Sequence, residues 1–153
     1  MKPSITVQRI KPADFADWSA MALILWPDYE KEALEADLRK ILNSSNQTTF
    51  LAKNEHQASI GFINASIRTD YVEGSDGSPT GYIEGIYVEP AYRRKGVAKA
   101  LLKMGEAWMI QQGCTQVGSD AWEHNTASRL FHKNLGFSET EPVIHFIKNL
   151  KSN

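Results

Sequence analysis

A chain of 153 residues, 42% hydrophobic and 23% charged, is long enough for one domain with a core, taken as residues 1–153, and has ordinary soluble composition. The 17 basic and 18 acidic residues leave a net charge of −1, which argues against nucleic-acid binding by bulk electrostatics, and with no long apolar run and no signal-peptide pattern after Met1 a cytoplasmic protein without a membrane span is expected. A single cysteine, Cys114, excludes an intrachain disulfide framework and a cysteine-based zinc site, and His56, His124, His132 and His145 lack zinc-ligand spacing, so no metal is expected.

In chain order, residues 4–10 alternate in a way that predicts a first strand. Pro12 and Asp14 open a helix with the apolar stripe Phe15, Trp18, Met21, Ala22 and Leu25, broken by Trp26-Pro27. A second helix over residues 30–42 carries Leu34, Leu38, Ile41 and Leu42 on its inner face. Residues 48–53 and 59–68 read as an antiparallel pair joined through 54–57, and a loop over 71–80, rich in Gly, Ser and Asp, leads to a central strand at 82–88. Tyr82, Ile83, Ile86, Tyr87 and Val88 suit a mostly buried strand, and Pro90 ends it by removing a backbone donor. A helix from Val97, with Leu101, Met104, Gly105 and Trp108 at helical spacing, stops at Gly113. Cys114 then reads as a small buried residue at a strand entrance. Residues 115–121 make a short strand, 125–135 a helix with Leu130 and Leu135 as core, and 143–150 a last strand.

Chemistry is concentrated in the turn between the central strand and its helix, Arg93-Arg94-Lys95-Gly96-Val97-Ala98. A helix N-terminus leaves backbone N–H groups unpaired at a positive dipole end, and a glycine there lets an anion approach closely. The Gly-Lys-Ser/Thr of a Walker loop is missing, as is the three-glycine dinucleotide fingerprint. The plain alternative for the hexapeptide alone is a solvated charged turn capping an ordinary helix.

The wider context resolves that choice. Val88-Glu89-Pro90, followed by Tyr92 and then Arg93, Gly96 and Ala98 in the pattern Arg/Gln-x-x-Gly-x-Gly/Ala, resembles the acetyl-CoA pyrophosphate loop of the GCN5-related N-acetyltransferases. Asn125, a helical stretch and Leu135-Gly136-Phe137 follow at that family's separation. The resemblance implies a mixed α/β fold: a central twisted, mostly antiparallel sheet with splayed parallel strands, flanked by helices. It assigns main-chain contacts to Ile86, Tyr87 and Val88 for the pantetheine arm of acetyl-CoA, and places Arg93 through Lys99 (Arg93, Arg94, Lys95, Gly96, Val97, Ala98, Lys99) at the pyrophosphate. A strand N–H there is positioned to stabilise negative charge on the thioester oxygen. Asn125 reaches the cofactor, caps its helix, or does both.

Acetyl transfer needs a neutral amine, and a carboxylate can take the proton directly or through water. Glu84 lies within the central strand among apolar neighbours, where a charge is costly without a partner or a task, and Gly85 beside it permits a bulge. The alternative is a glutamate on the open face of the strand. Asp120 either faces the same cleft or caps the turn before Glu123. His132 stands where many family members have a tyrosine that protonates the departing thiolate; its alternatives are a cofactor-facing or helix-surface histidine. A thiol with a pKa of about 8.5 leaves readily without an acid.

Leu25-Trp26-Pro27, residues 65–74 leading to Ser78-Pro79, residues 84–88 and residues 136–141 together resemble bacterial aminoglycoside 6′-N-acetyltransferases over nearly the whole chain. That resemblance implies direct attack of the 6′ amine on acetyl-CoA in a ternary complex. It assigns acceptor binding to Trp26, Tyr71, Glu84, Asp120 and Glu141, and implies a homodimer. Polyamines on rigid sugar rings call for carboxylates and flat aromatic faces, and Asp70, Glu73, Asp76 and Glu139 extend the acidic set. The alternatives are an acetyltransferase for another small amine or peptide N-terminus, and a non-catalytic acetyl-CoA-binding module.

Overall fold

The computed structural model describes residues 4–151. The chain forms two compact units, one running to Asp120 and one from Ala121.

The first unit is a five-stranded sheet with helices on both faces. Its strands are β1 (Thr6–Arg9), β2 (Gln47–Lys53), β3 (Ser59–Arg68), β4 (Thr80–Val88) and β5 (Val117–Gly118), in the order β1-β2-β3-β4-β5. The first four pair antiparallel and β5 joins β4 in parallel. Between them run α1 (Phe15–Leu25), α2 (Lys31–Leu42) and α3 (Val97–Gln111). The helical periodicity was a sound guide here. Trp18, Met21 and Ala22 of α1 and Leu34 and Leu38 of α2 close on Leu51, Phe62 and Tyr87 of the sheet in one buried cluster. Helix α3 packs on β2, β3 and β4 through Val97, Leu101, Leu102, Trp108 and Met109. Met104, expected on that face, is 37% exposed, because the α3 stripe runs through Leu102 and Met109 instead.

A single 3₁₀ turn, Pro12–Asp14, leads into α1. Asp14 is buried there, accepts from the Lys11 N–H at 3.0 Å, and meets the Lys53 ammonium of β2 at 2.7 Å. This pair ties the entry of α1 to the sheet. Burial opposes the charge on Asp14, but the hydrogen bonds from Lys53 and Lys11 outweigh it and hold the carboxyl below its ordinary pKa. Cys114 is buried as expected, and burial pushes its thiol pKa up.

The second unit holds α4 (Thr126–Asn134) and otherwise irregular chain. Asn125 is its N-cap, with Oδ1 accepting from the Ser128 N–H at 3.0 Å. Two expectations fail in this unit. Leu130 is 60% exposed rather than core, and residues 143–150 carry no strand: Val143, Ile144, Phe146, Ile147 and Leu150 are 56–97% exposed. An apolar run permits a strand, but a strand exists only where a neighbour takes its backbone hydrogen bonds. The strand expected over 115–121 likewise shrinks to Val117–Gly118, where β4 is close enough to pair. Among the described residues no helix is long and apolar enough to cross a membrane, and no group of three His, Cys, Asp or Glu side chains is placed to hold a metal ion.

Candidate active site

The site is built from an irregularity in β4. Asn64 of β3 pairs with Gly85 and Ala65 with Ile83, so Glu84 is an extra residue on β4, at the bulge that Gly85 was expected to permit. Gly85 has a further reason to lack a side chain. A Cβ there would stand 2.5 Å from Cζ2 of Trp26, so only glycine lets the indole lie across the strand. Trp26 also packs on Phe62, with ring centroids 6.1 Å apart, and lines a cavity of about 440 Å³ with Pro27, Asp28 and Tyr29.

On its other edge β4 parts from its parallel neighbour. The pairing of β4 with β5 covers Gly81 and Tyr82 alone, and residues 84–86 are only half-buried, unlike both ends of the strand. The backbone of Ile86, Tyr87 and Val88 therefore has no strand beside it on the β5 side among the described residues. This is the opening that splayed parallel strands were expected to leave.

Charged side chains converge on the bulge. The Ser66 hydroxyl donates to Glu84 Oε1 at 2.7 Å, and Arg68 reaches both carboxylate oxygens, with Nε and Nη2 at 3.1 and 2.8 Å from Oε1 and Nη2 at 3.0 Å from Oε2. The Arg68 guanidinium lies 3.5 Å from the centroid of the Tyr82 ring. Tyr82 donates its hydroxyl to Asp120. Burial, then that hydrogen bond, push the phenol well above its ordinary pKa, so it remains a donor. Glu84 and Asp120, predicted separately, thus belong to one network through Arg68 and Tyr82, which sequence reasoning did not single out for this role. The available signal was strand alternation: Ser66 and Arg68 share a face of β3, and Ser66 pairs with Tyr82.

The loop before β4 is anchored by Val72, 7% exposed, while Tyr71 beside it is 75% exposed. Asp76, expected among the polycation-binding carboxylates, instead exchanges hydrogen bonds with Gln116, its N–H donating to Oε1 at 2.7 Å. At the phosphate turn, Gly96 is the N-cap of α3 with φ +84°, and no atom stands within 4 Å of where its Cβ would be. Arg94 is also left-handed, at φ 61°. The first bond of the helix runs from the Ala100 N–H to the Gly96 carbonyl, so the N–H groups of Val97, Ala98 and Lys99 have no acceptor within the helix. Arg93 folds back, its Nε donating to the Val88 carbonyl at 2.7 Å, and so braces the turn against the end of β4. Open donors, a left-handed glycine with free space above it, and basic neighbours fit a pyrophosphate.

In the second unit, His132 Nδ1 lies 2.7 Å from the Ser128 carbonyl, which can only accept, so Nδ1 carries the hydrogen. Its ring meets Phe131 and Phe137 edge-on. Glu139 is engaged by Arg129 at 2.7 and 2.9 Å, which lowers its carboxyl pKa and removes it from the free acidic set; Glu141 is exposed.

Comparison with known proteins agrees with this geometry. The Acetyltransferase (GNAT) family matches residues 18–137. The aminoglycoside N(6′)-acetyltransferase type 1 of Acinetobacter haemolyticus is 43% identical over 144 residues, covering 92% of this chain and 98% of its own. That of Acinetobacter baumannii is 38% identical over 146 residues, covering 95% and 99%. Among solved structures, AAC(6′)-Iy in complex with the bisubstrate analog CoA-S-monomethyl-acetylneamine superposes with a TM-score of 0.92 at 37% identity, covering 96% of this chain and 99% of its own. The chain belongs to the GNAT acetyltransferase family, and within it lies with the aminoglycoside N(6′)-acetyltransferases.

Proposed function

We propose that this protein transfers the acetyl group of acetyl-CoA to the 6′ amine of an aminoglycoside, with the amine attacking directly in a ternary complex. The observation that carries the reading is the half-buried bulge at Glu84, tied to Asp120, on the strand that opens away from β5 just before the phosphate turn. Bound acetyl-CoA supplies the activated acetyl thioester. The N–H groups of Arg94, Lys95, Gly96, Val97, Ala98 and Lys99 hold its pyrophosphate, with Arg93 bracing the turn, and the backbone of Ile86, Tyr87 and Val88 lines the arm. Trp26 and Tyr71 offer flat faces to the sugar rings, and Glu84 and Asp120 accept hydrogen bonds from amino groups. Asn125 as a cofactor contact, Glu141 as an acceptor contact and His132 as the acid for the leaving thiolate follow from the family resemblance.

The chain works as one acetyltransferase domain in the cytoplasm and as a homodimer. What supports the dimer is the exposed apolar run of Val143, Ile144, Phe146, Ile147 and Leu150, a surface suited to burial against a second copy. Sedimentation of the protein and of Phe146→Glu tests this: dimer for the first and monomer for the second is the expected result.

Thiol release in the presence of paired acceptors tests the activity. A 6′-amino aminoglycoside should be acetylated, while its 6′-hydroxy analogue, which keeps the other amines, should bind and release little thiol. Equal turnover of both overturns the regiochemistry, turnover of neither points to another amine, and tight acetyl-CoA binding without thiol release from any amine points to a non-catalytic module.

A further inference from the structure

Glu84 carries the acceptor reading, yet its charge already has a partner. Oε1 takes three donors, from Ser66 Oγ and from Nε and Nη2 of Arg68, while Oε2 takes one, from Arg68 Nη2, and has room for another. The guanidinium is fixed from two sides, by its fork on Glu84 and by the Tyr82 ring beneath it. Among the described residues, the charged and titratable groups in contact with it are Glu84 and Tyr82 of β4, and Tyr82 in turn donates to Asp120 beyond β5.

Resting on the acceptor site proposed above, the geometry points to Arg68 as a positioning residue for acetyl transfer, one that holds Glu84 in place and disfavours the acceptor amine as an ammonium ion. An isolated carboxylate would bind the ammonium and stabilise it, trapping the form that cannot attack. A carboxylate paired with a fixed guanidinium offers Oε2 to an N–H without net negative charge, and the nearby like charge favours the neutral amine. The ammonium proton goes to solvent. The neutral nitrogen then keeps one N–H on Oε2 and directs its lone pair at the thioester carbon; the C–N bond forms, the C–S bond breaks, the electron pair leaves with sulfur, and the nitrogen, cationic once bonded to carbon, passes its second proton through water to the thiolate, giving the amide and the free thiol. Glu84 therefore orients the amine, and Arg68 sets the pH at which it becomes reactive.

Steady-state kinetics of the full-length protein, with acetyl-CoA saturating and a 6′-amino aminoglycoside varied across pH, test the idea. In the unmodified protein the acidic limb of kcat should lie about one pH unit or more below the pKa of the free 6′ amine. Arg68→Gln should lower the acceptor KM by about two- to fivefold at low salt, since a freed carboxylate attracts the cation. It should also lower kcat at neutral pH and move the kcat limb up by about one pH unit. Arg68→Lys keeps the charge and should hold the limb near its original position despite losing the fork. An unmoved limb in Arg68→Gln, or a limb in the unmodified protein at or above the free-amine pKa, overturns the proposal. Glu84→Gln with unaltered acceptor KM and kcat would be a separate failure, showing that the acceptor does not meet Glu84 at all.

Discussion

The unit ending at Asp120 and the unit beginning at Ala121 are made of similar residues and held by different forces. The first buries Trp18, Leu38, Leu51, Phe62, Ile63 and Leu101 almost completely between its sheet and helices. In the second, none of the residues 121–151 is buried, although Trp122, Leu130, Phe131, Phe137, Val143, Ile144, Phe146 and Ile147 are as apolar as anything in the core of the first. What orders the second unit is local: the Asn125 cap, the Arg129–Glu139 pair, and His132 set between the Ser128 carbonyl and two phenylalanines. Apolar sequence is thus necessary for a core and does not make one; a core also needs a second surface in reach, which a sheet with helices on both faces supplies.

Matched truncations should display the contrast most strongly. Leu51→Ala removes a fully buried side chain and should cost about 3 kcal/mol of unfolding free energy, whereas Leu130→Ala should leave the midpoint nearly unchanged. Urea titration followed by circular dichroism measures both, and equal losses would mean that Leu130 is covered in solution.

Asp14→Asn comes next. It leaves the Lys53 ammonium, whose side chain is 13% exposed, without its counter-charge, at a cost of about 2–3 kcal/mol near neutral pH. Because the folded carboxyl sits below its unfolded value of about 3.9, the pair's contribution is complete above that pH and disappears as pH falls through the folded pKa. The stability gap between the two proteins should therefore close on acidification; a gap constant down to acid pH would assign the loss to packing.

A smaller and local effect is expected from Asn125→Ala, which deletes the cap of α4 at about 1 kcal/mol. Hydrogen exchange should speed up in α4 and stay unchanged in α3, and equal acceleration in both helices would show that the two units open together. The smallest effect belongs to Arg129→Gln: the pair it breaks is solvent-exposed, so the urea midpoint should not move measurably and salt should change little.

Much of this architecture could be read in the sequence because it depends on neighbours along the chain. The apolar stripes of α1 and α2, the Gly96 turn with its left-handed backbone, the Asn125 cap and the opportunity for a bulge beside Gly85 are all decided within a few residues. Tertiary structure decided whatever needed a partner from another element. Arg68 reaches Glu84 only because β3 pairs with β4 in a register that turns both toward one face, and Tyr82 reaches Asp120 only because β5 lies alongside. The same dependence governs residues 143–150, whose apolar side chains permit a strand that is not formed among the described residues. Local chemistry sets which conformations a segment can adopt. Pairing across the sheet selects among them, because a backbone hydrogen bond or an ion pair requires two groups that sequence distance alone does not bring together.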